Sequence, residues 1–419
     1  MLKKALMLFL LCGFRIDLCF GQMDTLTLQY EEAKTILLKD NLKILSAYYD
    51  ISIAEADIVQ AKLWRNPTFV WNQDLYSISK NDYFNFQNQF LIQVEQVFSV
   101  SGKHTWGVRM AKLDRERNKL QLQDVLRGLV FELGQKYIQL DALEQKQLLY
   151  AETVRKYDIL IENCETKLKA GAISSNEVLR LKSERIGVKS EALSNQNDVL
   201  EIMSDLRQLL NLKETVYVKI SDKPLLLKDE SLLVQTLIQD ATAQRSDIQL
   251  AQFEIKYQEG NLKRQRAEAI PDIKLGYQPS DKGSNYVRPY QGLVLEFGLP
   301  FFDRNQGGIK KAKAQINKAQ ASQLEVENKV RNEVLTAFSQ WTNIKTGFQN
   351  LTPEFFGQME ELNKNADQNY DKKNINLLQY IDLRRIYVDN QLQYINLQQQ
   401  YRQTVNKLNF TVGKEVLGF

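Results

Sequence analysis

Gln291-Gly-Leu-Val-Leu-Glu-Phe-Gly-Leu-Pro-Phe-Phe-Asp-Arg-Asn-Gln-Gly-Gly-Ile-Lys-Lys-Ala-Lys313 is the stretch on which the reading of this 419-residue chain turns. Gln291, Leu293, Leu295, Phe297 and Leu299 share one parity, and Gly292, Val294, Glu296 and Gly298 the other, so the first half is a strand with one apolar face. Pro300, Asp303, Asn305, Gly307 and Gly308 mark a turn. From Ile309 a charged helical period runs on with no stop before about Pro353.

The same pattern stands earlier, in Gln89-Phe-Leu-Ile-Gln-Val-Glu-Gln-Val-Phe-Ser-Val-Ser-Gly-Lys-His-Thr-Trp-Gly-Val-Arg-Met-Ala-Lys112. Glu95 and Glu296, Gly107 and Gly308, and Ala111 and Ala312 are all separated by 201 positions. One offset shared by strand, turn and helix indicates a duplication. Upstream, Pro67 and Pro271 are 204 apart, so the second copy is three residues shorter between its Pro and its Glu.

Outward from these junctions, residues 25–63 read as one long helix closed by Pro67, and 68–78 as an aromatic strand. The alternation over 84–98 is the clearest in the chain, with Phe86, Phe90, Ile92, Val94 and Phe98 against Gln87, Gln89, Gln93 and Glu95. The second pair of strands is Ile273, Leu275 and Tyr277, then 293–299, around a Pro/Gly-rich loop at 279–289. Four strands in two hairpins can neither bury both faces nor close a barrel within one chain. Strands of about ten residues with one apolar face instead match a tilted membrane crossing, and an open edge is prohibitive in lipid, so several chains must share one barrel. Trp71, Tyr76, Tyr83, Tyr286 and Tyr290 near the loop ends are candidates for an aromatic girdle, or ordinary strand composition.

The helix over 103–169, about 67 residues and ~100 Å long, exceeds any globular helix. Leu122, Leu126, Leu129, Leu133, Leu140 and Leu143 form a heptad seam that calls for partner helices. Ala170-Gly171-Ala172 breaks it, and Ser174-Ser175-Asn176-Glu177 caps a helix that returns antiparallel to about residue 212. In the second copy, 232–269 parallels the first helix and 309–350 the long one, with Gly347 and Pro353 bending or dividing it. Lys372-Lys373-Asn374-Ile375-Asn376 takes the place of the Gly171 turn, and 377–408 returns with Leu378, Ile381, Val388, Leu392 and Ile395 in heptad spacing. The division is therefore a signal peptide at 1–21, a first repeat over 22–212 (hairpin 68–98, long helix 103–169, tip 170–174), a linker at 213–230 containing Pro224, a second repeat over 231–411 (hairpin 272–299, long helix 309–350, tip 371–376) and a tail at 412–419.

Two lysines followed by about ten apolar residues at the start have signal-peptide architecture, with Gly21 at the cleavage point and Gln22 as the mature terminus. Asp17 and Leu18 are poor company for lipidation of Cys19. Cleavage leaves Cys164 alone, packed in a helix, so no internal disulfide is expected. No later segment offers the ~20 apolar residues of a membrane helix. Lys+Arg 55 against Asp+Glu 51, net +4, spread along helices, excludes a basic face for nucleic acid.

His104 is the only histidine and has no second ligand near it, so no metal site is expected. No nucleophile elbow, phosphate loop or paired-carboxylate spacing stands out; neither catalysis nor a cofactor is expected, and Gly307-Gly308 reads as a turn rather than an anion site. Glu95 and Glu296, on the non-apolar parity of the strands, would face a lumen and make it mildly cation-friendly, or simply make the interior polar.

Signal peptide, duplicated helix-hairpin-helix-helix halves and the Leu299-Pro-Phe-Phe-Asp-Arg-Asn-Gln-Gly-Gly-Ile309 junction together resemble the TolC-like outer-membrane efflux family, and the junction looks most like its cobalt-zinc-cadmium (CzcC-like) branch. The resemblance implies a mainly α fold with a small β part. Long antiparallel coiled-coil helices would form a periplasmic α-barrel, and four strands per chain would enter a shared trimeric, twelve-stranded transmembrane β-barrel in outer-membrane lipid. It implies a homotrimer that passively conducts substrate, heavy-metal cations in this branch, from an inner-membrane pump of the RND type through a periplasmic adaptor (membrane fusion protein). The adaptor-docking tips would be Gly171 and Ala172 and, in the second half, Lys373 and Asn374, where Lys373 replaces the family's Gly. Related channels narrow at acidic residues six and nine positions past the tip Gly, which corresponds to Glu177, Gln379 and Asp382, with Arg180 in the ninth place of the first half. Three copies of Asp382 would favour cations, and the bland alternative is a solvated carboxylate paired with Arg384 or Arg385. An exported coiled-coil scaffold or adaptor without a pore is the alternative from another class; multidrug and protein-secretion outlets share the fold.

Overall fold

The computed structural model describes residues 24–78, 81–84, 90–213, 216–220, 232–281, 290–349 and 353–418. In chain order its strands and helices are β1 (Asp24–Leu28), α1 (Tyr30–Asp40), α2 (Leu42–Lys62), β2 (Thr68–Gln73), β3 (Tyr76–Ser77), β4 (Asp82–Tyr83), β5 (Phe90–Phe98), α3 (Lys103–Lys169) and α4 (Ser175–Leu210) in the first half. The second half supplies β6 (Val216–Ile220), α5 (Val234–Gln244), α6 (Ser246–Glu268), β7 (Ile273–Asp281), β8 (Tyr290–Phe297), α7 (Gln306–Gln349), α8 (Pro353–Asp371) and α9 (Leu377–Val412). The signal peptide at 1–21, the girdle residue Tyr286 and the Pro224 stretch of the expected linker lie outside the described residues.

The chain divides into two compact units, one made of residues 1–39, 136–224 and 365–395, the other of 40–135, 225–364 and 396–419. In the first, β1 pairs in parallel with β6, from Asp24 opposite Val216 to Leu28 opposite Ile220. The buried Tyr137 hydroxyl donates to the Leu28 carbonyl at 2.9 Å, and Tyr30 meets the Tyr137 ring edge-on at 5.6 Å. The reading of 25–63 as one helix is thus corrected. Asp24-Thr-Leu-Thr-Leu28 alternates at period two and finds its partner almost two hundred residues downstream, inside the segment read as linker. Asn41 then separates α1 from α2, its side-chain oxygen capping the amides of Lys43 and Ile44 at 2.9 and 3.2 Å. At the far end of this unit Tyr157, Ile161, Cys164, Leu181, Tyr380 and Ile381 are among the residues of one buried cluster.

The second unit holds an antiparallel four-stranded sheet in the order β2-β5-β7-β8. Four strands were expected; the described residues contain eight, of which β3 and β4 form a separate short ladder with Tyr76 and Tyr83 4.6 Å apart. Beneath the sheet's helices, Leu237, Ile248, Val334, Trp341, Val405 and Leu408 lie within a buried core. The single helix read over 232–269 is two, broken at Arg245, whose guanidinium is 3% exposed. Asp247 takes it at 3.0 and 2.6 Å, Glu333 at 2.7 Å and the Thr411 carbonyl at 3.0 Å. No Gly or Pro announces this break; Arg245 is held there by Asp247 two residues on and by Glu333 and Thr411, which are distant in sequence.

On α3, Leu122, Leu129, Leu133, Leu140 and Leu143 are buried, as a heptad seam requires. On α9, Ile381, Val388 and Ile395 are buried while Leu378 is exposed. On α4 a second stripe, Leu179, Ile186, Leu193 and Leu200, repeats every seven residues and is exposed throughout. Among the described residues no helix is long and apolar enough to cross a membrane.

Candidate functional site

The sheet has two chemically distinct faces because register and parity coincide across all four strands up to the irregularities at Ile92/Val94 and Gln278/Asp281. Phe69 lies opposite Val94, Val94 opposite Tyr277, and Tyr277 opposite Leu293, and all four are exposed, Leu293 at 87%. Trp71, Phe98, Leu275, Leu295 and Phe297 extend the same face and are also exposed. A soluble sheet would bury this row against a second layer. Among the described residues it is bare, and β2 and β8 are open edges.

The opposite face is polar. Lys274 on β7 stands between the two expected lumen carboxylates, 3.4 Å from Glu95 and 2.7 Å from Glu296. Gln278 donates to Gln93 at 2.6 Å, and Gln93 in turn donates to Glu95. Gly276 leaves room for this row, since a Cβ there would come within 3.2 Å of the Gln93 amide. Sequence reasoning found the carboxylates and missed Lys274. The signal was present in the parity of Lys274, Gly276 and Gln278, but that Lys274 aligns with Glu296 depends on strand register, which alternation alone does not fix.

His104 stacks flat on Trp64 at 4.4 Å, and its Nε2 lies 3.1 Å from the Lys62 carbonyl. No group of three metal-ligating side chains occurs among the described residues.

At the far end of the first unit the two helical turns are the same device built twice. After α3 the amide of Gly171 donates to Leu168 O at 2.9 Å and that of Ala172 to Lys167 O at 2.9 Å. After α8 the amide of Lys373 donates to Tyr370 O at 3.0 Å and that of Asn374 to Asn369 O at 2.8 Å. Both are Schellman closures around a left-handed residue, φ +73° at Gly171 and +62° at Lys373. The helices that follow are also capped alike. Ser174 and Glu177 exchange backbone-to-side-chain bonds of 3.0 and 3.4 Å, and Asn376 and Gln379 exchange bonds of 3.0 and 2.9 Å. Glu177 and Gln379 therefore hold helix starts. Asp382 is exposed, forms no ion pair among the described residues, and lines a cleft with Arg180, Gln379 and Arg385. Arg385 is committed to Glu184 at 2.6 Å instead.

Ion pairs tie the long helix to its return: Arg185 to Asp158 at 2.7 Å and Lys182 to Glu165 at 2.6 Å. The Lys182 hydrogen bond holds the Glu165 carboxyl below its ordinary range. Between α8 and α9, the Tyr380 hydroxyl donates to Asp367 at 2.7 Å; burial, then that bond, pushes its pKa up. Burial and the Cys164 thiol, 3.6 Å away, raise Tyr370 likewise.

Known structures share this fold. The chain is 14% identical to the Campylobacter jejuni CmeC outer membrane channel, covering 93% of this chain and 87% of that one with a TM-score of 0.76. CusC, whose crystal structures concern conformational changes accompanying folding and transmembrane channel formation, is 15% identical over 92% of each chain, TM-score 0.72. The open state of the Neisseria gonorrhoeae MtrE outer membrane channel is 13% identical over 92% of this chain and 89% of that one, TM-score 0.71. No curated protein matches the sequence. The pattern of one family covers both repeats, at residues 35–212 and 237–414, and makes this a transport protein rather than an enzyme: the chain belongs to the outer membrane efflux protein family.

Proposed function

We propose that three copies close a twelve-stranded pore in the outer membrane and extend it into the periplasm as a helical tunnel, forming the passive exit duct of a tripartite efflux system. The observation that carries this reading is the bare apolar face of the β2-β5-β7-β8 sheet together with its two open edges, which in lipid must be closed by further strands. The exposed seven-residue stripe on α4 adds a second surface that calls for a neighbouring helix. Outer-membrane fractionation with heat-modifiable trimer migration and ion conductance in planar bilayers tests it. A monomer that stays soluble without detergent sinks it, and a non-conducting periplasmic scaffold becomes the reading instead.

Within that duct, Gly171, Ala172, Lys373 and Asn374 form the ends that receive a periplasmic adaptor, itself joined to an inner-membrane RND-type pump. Asp382, with Glu177 and Gln379 positioning the start of each returning helix, lies at the periplasmic aperture, and three unpaired copies of Asp382 favour cations there. Glu95 and Glu296 face the lumen. The substrate is a heavy-metal cation, on the similarity of residues 299–309 to the CzcC-like branch. Growth of a deletion strain on cobalt, zinc or cadmium against growth on dyes and drugs decides this; sensitivity to the organic compounds alone would replace metals by multidrug efflux.

A further inference from the structure

The strand-to-helix junctions lie on one rim of the sheet, because Phe98 at the end of β5 pairs with Ile273 at the start of β7, and Ile273 with Phe297 at the end of β8. Chain leaving the sheet here carries large apolar side chains in the open. Leu299, Phe301 and Phe302 are exposed, Phe302 at 93%, and Val100 holds the corresponding place after β5. Val100, Leu299 and Phe301 continue the parity of the bare face beyond its last hydrogen bond, Phe302 adjoins them, and among the described residues nothing covers them.

Immediately past these residues the charge is mostly positive. Arg304, Lys310 and Lys311 are exposed and form no ion pair among the described residues. Acidic residues are absent from the first turn of α7, and Asp303, the one acid in the sequence between Leu299 and Lys311, accepts the Asn305 amide at 2.8 Å. Local helix energetics do not explain them, since cations near a helix start run against the macrodipole. Lys310 and Lys311 lie roughly 6–8 Å along the helix from Gln306, about the depth of a headgroup layer.

We propose that this rim is a binding surface for anionic phospholipid headgroups, in which Phe301 and Phe302 enter the acyl boundary and Arg304, Lys310 and Lys311 engage phosphates. It rests on the membrane-embedded sheet proposed above, with whose apolar face the rim is continuous. Aromatic side chains at the boundary backed by basic residues a few ångströms further out are the chemistry of an interfacial anchor.

The full-length protein, reconstituted in bilayers of phosphatidylcholine with phosphatidylglycerol, tests this by native mass spectrometry of retained lipid. Wild type should retain phosphatidylglycerol in preference to phosphatidylcholine, and the triple variant Arg304→Gln, Lys310→Gln, Lys311→Gln should lose that preference by on the order of a hundredfold while still inserting and conducting. A wild type that inserts without preference, or a triple variant that keeps it, overturns the anchor and leaves the barrel standing. Failure of the wild type to insert overturns both. As an independent readout, Phe302→Trp should add fluorescence quenched more by lipids brominated near the headgroup than by lipids brominated deep in the chain. Added emission blind to both lipids and to aqueous quenchers means that protein covers the rim, and the anchor falls.

Discussion

Lys373 occupies the backbone position that Gly171 occupies in the other repeat: both close a Schellman turn, at φ +62° and +73°. The duplication conserved the turn and not the residue suited to it. A side chain at positive φ costs about 1–2 kcal/mol, whereas glycine does not pay it.

Gly171→Ala should therefore destabilise the tip by about 1 kcal/mol. Lys373→Gly should stabilise it by less than that, because the freer unfolded chain returns part of the gain. Hydrogen exchange of the amides at 171–174 and 373–376 reads both changes locally.

In the proposed duct, opening by a shift of the returning helices against the long ones would separate Arg185 from Asp158 and Lys182 from Glu165. Exposed pairs of this kind are individually weak and screened by salt. The double variant Asp158→Asn, Glu165→Gln should raise the open fraction of single channels a few-fold at low salt, and 1 M salt should narrow the difference. The Glu165 carboxyl, held low by Lys182, keeps its contribution above the ordinary carboxylate range and loses it as pH falls through the lowered value, so acidification should favour opening in wild type only.

Lys274 leaves one net negative charge on a triad with Glu95 and Glu296. Lys274→Gln should increase cation over anion permeability, and Glu95→Gln with Glu296→Gln should shift it toward anions. Reversal potentials across a KCl gradient measure both; identical values in all three proteins would remove the triad from the permeation path.

Arg245 is buried among two carboxylates and a carbonyl, and removing one partner leaves a poorly compensated charge. Asp247→Asn should cost about 2–3 kcal/mol, toward the lower end for a broken buried pair because Glu333 remains. Burial alone would raise the Asp247 carboxyl, but the Arg245 hydrogen bonds and charge, aided by Arg127, outweigh it and hold it low. Stability from this group is present above the ordinary Asp range and disappears as pH falls through the depressed value. Thermal melts from pH 7 to 3 should show a smaller acid-dependent loss in Asp247→Asn than in wild type.

The duplication, the two-faced strands around Val94 and Leu293, and the long helix with its Leu129 and Leu133 seam could all be read from residue order. Each is a local periodicity of two or three and a half, repeated where the chain repeats. Hydrophobic period says which face of an element is buried or bare without saying what lies beside it. Proximity in space alone decided that β1 finds β6, that Arg245 breaks a helix with no Gly or Pro in it, that Lys274 comes between Glu95 and Glu296, and that Asp382 is left without the arginine beside it. Apart from Arg245 with Asp247, these contacts join residues from about twenty to about two hundred positions apart. Their energies depend on register and desolvation, which exist only once the chain has folded.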